Sequence, residues 1–204
     1  MNLTVNVRGV SGSGKSTAVR SLFARATSVD RTDDPWCAGH PQYYRLTIPN
    51  LVAPVFVVGD YEGTKTAGAE GLRDRYATPY VFDLFDALAE RGHVVAEGFT
   101  LSQTVTMWIR LSKVCQARGA HVIVAHLTTT VDECVANIMT RRETTRRISS
   151  KLLNVDALRS FHKSQQGTTR SQRRQGVDVR DLPWRESSEV LFGWFQEFDA
   201  KATK

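Results

Sequence analysis

Apolar residues recur along the chain with two periods, one typical of strands and one typical of helices. Short apolar or alternating runs predict strands, and segments with apolar residues every three or four positions predict helices. Residues that can cap a helix precede three of these segments: Thr78 before Pro79, Thr130 in a capping box with Glu133, and Asn154. The predicted strands span 3–7, 43–48, 54–59, 93–98, 121–127 and 176–180. The predicted helices span about 15–25, 78–90, 101–118, 131–147, 154 to 166 or beyond, and 186–198.

This order of elements predicts the fold class. Strands that alternate with helices are joined by right-handed crossovers, which bury a mostly parallel sheet between two helical layers. We therefore expect one α/β domain over residues 1–204, a three-layer sandwich with a mostly parallel five-stranded sheet. Residues 43–48 and 54–59 are expected to pair as an antiparallel hairpin, with 43–48 at the sheet edge. Residues 28–40 are polar and turn-rich, and we expect them to form an excursion rather than a linker.

The turn between the first strand and the first helix carries a phosphate-binding pattern. It reads Gly9-Val10-Ser11-Gly12-Ser13-Gly14-Lys15-Ser16-Thr17, which fits GxxxxGK[ST] in the context that this motif requires. The glycines let backbone N–H groups face phosphate oxygens, and the helix dipole adds to their attraction. We expect ATP at Ser11, Gly12, Ser13, Gly14, Lys15, Ser16 and Thr17, with Lys15 on the β- and γ-phosphates and the Ser16 hydroxyl on Mg²⁺. The sandwich is therefore predicted to be a P-loop NTPase fold.

Carboxylates follow two of the predicted strands. Glu97 ends the strand at 93–98, and an acid in this place is expected to hold Mg²⁺ with Ser16 or to orient the attacking group. A glycine-rich loop over residues 59–71 follows another strand and should stand beside the phosphate loop, because ligands bind at the carboxyl ends of parallel strands. It supplies three candidates for the group that takes the acceptor's proton: Asp60, Glu62 and Glu70.

Two arginine pairs end the predicted helix that starts after Thr130. Arg141, Arg142, Arg146 and Arg147 precede a polar stretch, and this arrangement predicts a lid over about residues 141–175. Planar guanidinium groups suit the charge that develops on a transferring phosphoryl group. We expect Arg141 and Arg142 to act in catalysis and Arg146 to bind the nucleotide.

The charge distribution indicates a polyanionic partner. The net charge is +6, yet residues 141–185 alone hold twelve Lys/Arg and four Asp/Glu, a balance of +8 that leaves −2 for the rest. Such a region clamps nucleotide phosphates, contacts a nucleic-acid backbone, or is simply a solvated helix face. If the partner is a nucleic acid, Arg173 and Arg174 are expected to be part of the surface that binds it. Three cysteines without paired spacing argue against zinc and disulfides, and no apolar run suits a membrane, so a cytoplasmic location is expected.

Among P-loop proteins, the chain is most like a small phosphoryl transferase. It is short, has no guanine-reading NKxD motif, and carries its arginine-rich helix end late. Two alternatives stay open: a kinase of free deoxynucleoside monophosphates, and a non-catalytic module that binds a nucleoside triphosphate and nucleic acid.

Several short motifs resemble phage-encoded P-loop kinases that act on 5-hydroxymethyluracil in DNA. These are Val57-Val58-Gly59-Asp60-Tyr61-Glu62, then Gly68-Ala69-Glu70, the strand-end pair Glu97-Gly98 and the pair Arg141-Arg142, within about residues 3–147. The chain departs from that pattern with Ala69 for Cys, Glu70 for Asp and Gly71 for Thr.

The resemblance implies transfer of the ATP γ-phosphoryl group to the 5-hydroxymethyl oxygen of a base in DNA, a step of phage DNA hypermodification. DNA with a modified pyrimidine would then be the partner and the host cytoplasm the location. A base within a duplex has to be presented to the site, and Tyr61 and Tyr76 are candidates to stack on it.

Overall fold

The computed structural model describes residues 1–62, 68–69, 72, 76–98, 103–144 and 153–202. Two predicted site residues, Glu70 and Arg146, lie outside this described part. The described residues form one seven-stranded sheet with the order β2-β3-β4-β5-β1-β6-β7. The strands are β1 (Leu3–Arg8), β2 (Ser28–Asp33), β3 (Pro41–Thr47), β4 (Val55–Val58), β5 (His93–Glu97), β6 (His121–Leu127) and β7 (Asp178–Leu182).

Six helices in the described part cover the sheet: α1 (Lys15–Arg25), α2 (Thr78–Ala89), α3 (Val105–Ala117), α4 (Val131–Thr144), α5 (Val155–Arg174) and α6 (Ser187–Ala202). The odd-numbered residues of β1 pack with α1 and α6, in a core that includes Val5, Leu22 and Phe195. On the other face, Phe85 of α2 and Trp108 of α3 pack against β5. The predicted α/β sandwich with helices on both faces is therefore confirmed. Within the described residues, no helix is long and apolar enough to cross a bilayer.

Five neighbouring strands, β4, β5, β1, β6 and β7, run parallel. The central strand β1 pairs Val7 with Glu97 of β5 and Arg8 with His126 of β6. The carboxyl ends of these strands therefore meet at one edge of the sheet, directly before residues 9–17. This edge is where the fold brings together the polar residues that the sequence analysis selected.

The prediction of five strands was too low, because the sheet continues beyond its parallel block. β3 pairs antiparallel with β4, which confirms the predicted hairpin, but β2 lies outside β3 and forms the edge. The residues of β2 are almost all exposed and polar, so no apolar alternation marked the strand. Its backbone pairing with β3 holds it in place, and this pairing is a tertiary contact.

Two of the three predicted helix N-caps are confirmed. Glu133 N–H donates to the Thr130 hydroxyl and Thr130 N–H to Glu133, so the capping box is confirmed. The Asn154 side chain caps α5 through the Ala157 N–H. The prediction for Thr78 was wrong, because Ala77 is the N-cap residue and provides no side-chain cap.

Helix α5 is longer than predicted and changes the expectation of a lid. The helix continues without interruption to Arg174, whereas the sequence pattern supported a helix only as far as about residue 166. Its Leu158, Gln165 and Gln172 are buried against the rest of the protein. Most of the region predicted as a lid is therefore a packed helix in this structure, and residues 145–152 lie outside the described part.

Candidate functional site

Residues 9–17 form a tight loop between β1 and α1, held in shape by two glycines with left-handed backbone. Gly12 has φ +80° and Gly14 has φ +96°, conformations that side-chain-bearing residues rarely adopt. The Ser13 N–H donates to the Val10 carbonyl at 3.2 Å. The Lys15 ammonium donates to the carbonyls of Gly9 and Val10 at 2.8 and 2.9 Å. The lysine therefore folds back over its own loop, and its predicted contact with phosphates stays a prediction.

Helix α4 packs directly on this loop. A β-carbon on Gly12 would come within 2.4 Å of the Cys134 carbonyl oxygen, so only glycine allows the close approach. The Asn137 amide donates to the Gly12 carbonyl at 2.9 Å, and the Thr129 hydroxyl donates to the Ser13 carbonyl at 2.7 Å. Loop and helix form one unit through these contacts. The sequence analysis did not identify Asn137 or Thr129, because their contacts are made through backbone carbonyls.

Glu97 lies beneath the start of α1. Its side chain is buried at the carboxyl end of β5, and burial raises the pKa of its carboxyl group. The positive charge of Lys15 and a hydrogen bond with the Ser16 side chain act in the opposite direction on this pKa. Its Oε1 atom is buried and has no hydrogen-bond partner among the residues that the structure describes. The predicted proximity of the strand-end acid to the loop is thus present in the fold.

Arg20 is a further charged group at this edge that sequence reasoning missed. It follows Ser16 by four residues on α1 and donates to the Tyr61 carbonyl at 3.3 Å. Its charge also favours the ionised form of Glu97, which lowers the pKa of that carboxyl. The sequence could have indicated Arg20, because residues four positions apart on a helix lie on the same face and Ser16 was already a predicted site residue. Arg20 therefore joins Lys15 and Ser16 around one buried carboxylate.

The loop that follows β4 returns to the same edge and contacts Glu97. The backbone groups of Asp60 and Gly68 hydrogen-bond to each other in both directions, and Ala69 N–H donates to the Glu97 carbonyl at 3.0 Å. A β-carbon on Gly68, which has φ +80°, would come within 2.5 Å of Glu97 Cγ. Glu70, next to Ala69, is outside the described residues. The described part of this loop thus contacts Glu97, the residue that also lies beside Lys15 and Ser16.

The two described carboxylates of this loop have different surroundings. Asp60 is buried, accepts a hydrogen bond from the Glu62 N–H at 2.9 Å, and lies 3.4 Å from the His40 ring Nδ1. Glu62 is exposed and forms an ion pair with Arg31 at 2.5 Å. Asp60 is therefore enclosed at the sheet edge, whereas Glu62 is held by Arg31 of strand β2.

Arg141 and Arg142 stand one helical turn beyond the residues of α4 that contact the loop. They follow Asn137 and Ile138 by four residues each, so they continue the same faces of the helix. Arg146, the predicted nucleotide ligand, cannot be compared because it lies outside the described part. The roles of these arginines stay predictions, because the structure shows only that the described pair lies one turn farther along α4 than the residues that contact the loop.

The two tyrosines considered for base stacking occupy different environments. Tyr61 is buried, and its ring lies 5.7 Å from that of Phe23 and 6.4 Å from that of Tyr44, which makes it a core residue. Burial also raises the pKa of its phenol. Tyr76 is half-buried and donates from its hydroxyl to Asp34. Stacking of Tyr61 on a substrate is therefore excluded in this arrangement.

Two phage proteins are similar to this chain over most of its length. One, from Pseudomonas phage M6 and named 5-hmdU DNA kinase, is 27% identical over 188 residues, which cover 88% of this chain and 90% of the phage protein. The other, of the same name and from Pseudomonas phage PaMx11, is 30% identical over 141 residues, 68% of each chain. No protein-family model matches the sequence.

The longer similarity, over 188 residues, exceeds the stretch of about residues 3–147 that contains the motifs of the resemblance. The kinase names support a phosphotransferase. At 30% identity over two thirds of both sequences, the chain belongs to the family of phage 5-hmdU DNA kinases.

Proposed function

We propose that this protein transfers the γ-phosphoryl group of ATP to the hydroxymethyl oxygen of 5-hydroxymethyluracil in DNA. The observation that carries the proposal is the buried carboxylate of Glu97, which lies against Lys15 and Ser16 of a loop with the GxxxxGK[ST] pattern. The names of the two phage relatives support the choice of acceptor.

On the donor side, the chain offers backbone N–H groups, the helix dipole of α1 and the Lys15 ammonium. In this arrangement they bind the β- and γ-phosphates and reduce the repulsion that a nucleophile meets. Lys15 exchanges its present carbonyl partners, Gly9 and Val10, for phosphate oxygens. Arg141 and Arg142 neutralise charge on the transferring group from the adjacent helix.

Mg²⁺ fits the groups present at the end of β5. The Ser16 hydroxyl and the Oε1 atom of Glu97, buried and without a partner among the described residues, are the hard oxygen ligands that this ion prefers. Bound there, the ion would supply charge neutralisation between the phosphates. Glu97 would hold it directly or through water. Burial alone disfavours the charged carboxylate, whereas a cation beside it restores that charge.

On the acceptor side, the loop after β4 positions the hydroxymethyl group. Its oxygen attacks phosphorus in line with the bond to ADP, the bond to the bridging oxygen breaks, and the hydroxyl proton passes to a carboxylate. Asp60 and Glu70 are the candidates for that carboxylate, because both belong by sequence to the 59–71 loop, whose Ala69 N–H donates to the Glu97 carbonyl. Arg20 lies at the same edge and can hold an acceptor phosphate.

The test is transfer from γ-labelled ATP to four acceptors: unmodified DNA, DNA that contains 5-hydroxymethyluracil, mixed deoxynucleoside monophosphates, and 5-hydroxymethyl-dUMP. We expect label only in the modified DNA. Label in the monophosphates alone would instead indicate a free-nucleotide kinase. Binding of ATP and DNA with no label in any acceptor would indicate a non-catalytic module.

The Lys15→Ala variant provides the control for the donor site. It should abolish transfer and leave the thermal transition close to that of the wild type, because the hydrogen bonds of Lys15 to the Gly9 and Val10 carbonyls lie within its own loop. Lys113→Ala, an exposed lysine on α3, is the matched variant and should retain activity. Turnover retained by Lys15→Ala contradicts the assignment of the loop.

A further inference from the structure

Helix α5 presents three basic side chains along one exposed line. Lys163, Arg170 and Arg174 are separated by seven and four residues, which places them within an arc of about 40° on a helix of 3.6 residues per turn. All three are exposed. They extend over about 16 Å of helix axis. We call these three residues the α5 basic stripe.

The composition of α5 is unlike that of an ordinary solvated helix. From Ala157 to Arg174 the sequence contains no Asp or Glu, so the opposite charges that usually lie three or four positions away are missing. None of the three stripe residues forms an ion pair with a carboxylate in the described part of the chain. Arg170 and Arg174 instead repel each other at a spacing of four. A bound polyanion would neutralise this mutual repulsion.

The adjacent residue Arg173 differs from the stripe in its contacts. It forms an ion pair with Asp181 of β7 at 2.8 Å and donates to the Val179 carbonyl at 3.3 Å. Asp181 also lies 3.6 Å from His126. Arg173 therefore joins α5 to the sheet edge. The sequence-based expectation that Arg173 and Arg174 act together on DNA is changed by this arrangement, which leaves Arg174 as the surface cation.

The buried face of the same helix connects the stripe to the candidate active site. Leu158 packs in one cluster with Val10 of the 9–17 loop and with Ile138 of α4. Farther along, the Gln172 amide oxygen accepts a hydrogen bond from Arg8, the last residue of β1 before the loop. An α-helix with its side chains is about 10 Å across. A strand of nucleic acid on the exposed face would thus pass about that distance from the loop.

We propose that the α5 basic stripe binds the phosphate backbone of the DNA acceptor and guides it past the phosphate-transfer site. This inference rests on the proposed function for the choice of DNA. The partner's chemistry follows from charge complementarity: a row of cations without acids fits a row of phosphates. The contact is independent of base sequence, so recognition of the modified base falls to the loop after β4.

Salt dependence of DNA affinity tests the stripe directly. The triple variant Lys163→Gln, Arg170→Gln and Arg174→Gln keeps good helix formers and removes the charge. For duplex DNA, three lost phosphate contacts should reduce the slope of log affinity against log salt by about 2.7. Between about 50 and 200 mM salt, the wild type should therefore lose about 40-fold more affinity than the variant does. Fluorescence anisotropy of a labelled duplex gives both curves.

Single variants at neighbouring positions separate the stripe from general loss of charge. Arg174→Gln should reduce the slope by about 0.9, and Arg173→Gln should leave it unchanged while lowering thermal stability, since it loses the Asp181 pair. Equal slopes for the triple variant and the wild type would overturn the proposal. So would an effect of Arg173→Gln on the slope equal to that of Arg174→Gln.

The transfer assay distinguishes this inference from the proposed function. If wild-type protein labels modified DNA and the triple variant keeps the wild-type salt slope, the proposed reaction is confirmed and the proposed DNA-binding role of the stripe is wrong. If the wild type labels no DNA, yet its DNA affinity depends on the three stripe residues as predicted, the stripe is supported and the proposed reaction is wrong.

Discussion

Gly68 lies directly against Glu97: a β-carbon built on it would come within 2.5 Å of the Glu97 Cγ atom and 2.9 Å of the Glu97 carbonyl oxygen. The loop that follows β4 and the carboxylate that ends β5 are thus in van der Waals contact. Ala69 strengthens this contact by its backbone hydrogen bond to the same carbonyl. The position of the Glu97 side chain therefore depends on the absence of a side chain at residue 68.

The variant Gly68→Ala should consequently lower kcat far more than its effect on stability suggests. The added methyl group has to displace Glu97 or the loop, and a shift of about 1 Å in a catalytic arrangement costs about 100-fold in rate. We expect a loss of that order in phosphate transfer, with ATP affinity changed much less. Steady-state kinetics at saturating ATP, together with ATP titration by calorimetry, measure the two effects.

Gly39 provides the matched control for Gly68. It has φ +82°, almost the same backbone conformation, but no atom lies within 4 Å of the position of an added β-carbon. Gly39→Ala should therefore lower the free energy of unfolding only by the cost of a left-handed alanine, about 1–2 kcal/mol. Its kcat should equal that of the wild type. Equal losses of kcat in both variants would attribute the effect to backbone strain, and the contact with Glu97 would not matter.

Much of this site could be predicted because its signals are local. The loop pattern, the flanking strand and helix, and the acid at the end of a buried strand are each contained in fewer than about a dozen residues. Parallel pairing then brings Glu97 beside Val7, two residues before the loop. The topology rule for parallel sheets was sufficient to place the strand-end acid near Lys15.

Other parts depend on contacts that no local pattern encodes. The edge strand β2 is polar on both sides and exists through its pairing with β3. Helix α5 buries Gln165, Thr169 and Gln172 where a helical pattern normally has apolar residues. The apolar periodicity therefore did not show how far the helix extends. Phe161, a large apolar residue on the same helix, is 49% exposed. In each case, tertiary contacts overrode the local pattern.

Asp60 and Glu70 can be distinguished as proton acceptors by isosteric amides. A general base contributes about 10²–10⁴-fold to rate, so loss of the acting carboxylate should lower kcat by that factor with ATP affinity retained. We expect Asp60→Asn to show this loss, because Asp60 is buried at the sheet edge beside His40. Glu62→Gln is the control: its carboxylate is occupied by Arg31 and its kcat should be unchanged. A full loss in Glu70→Gln with Asp60→Asn active would reverse the assignment.

Asn137 links helix α4, which carries Arg141 and Arg142, to the Gly12 carbonyl. Asn137→Ala removes that hydrogen bond, whose net value is about 1 kcal/mol, or about fivefold in an equilibrium. We therefore expect kcat/KM for ATP to fall about fivefold, because the loop and the arginines are no longer held in register. Thr140→Ala, at an exposed position on the same helix, should leave kcat/KM unchanged. An unaltered kcat/KM in Asn137→Ala would show that this contact only packs the helix.

The buried histidine His93 should make the fold sensitive to mild acid. Its Nδ1 accepts a hydrogen bond from the Leu3 N–H at 3.0 Å, which requires the neutral ring, and its Nε2 lies 3.1 Å from Asp199. Burial lowers the pKa of His93, and Asp199 opposes that shift only in part. Burial likewise lowers the pKa of His126. Below a pH of about 6.5, where unfolded histidine gains its proton, the unfolded chain therefore binds more protons than the folded one.

Stability should thus be fully present above a pH of about 6.5 and decline as the pH falls below that value. His93→Gln offers one acceptor and one donor but does not titrate, so its unfolding temperature should fall less between about pH 7.5 and 5.5 than that of the wild type. His40→Gln, at an exposed position, should behave like the wild type over this range. Thermal unfolding scans at both pH values test this. Asp178 and Glu197, whose pKa values are lowered in the fold, act at more acidic pH. If the unfolding temperature of His93→Gln falls as much on acidification as that of the wild type, the pH dependence would be attributed to His126.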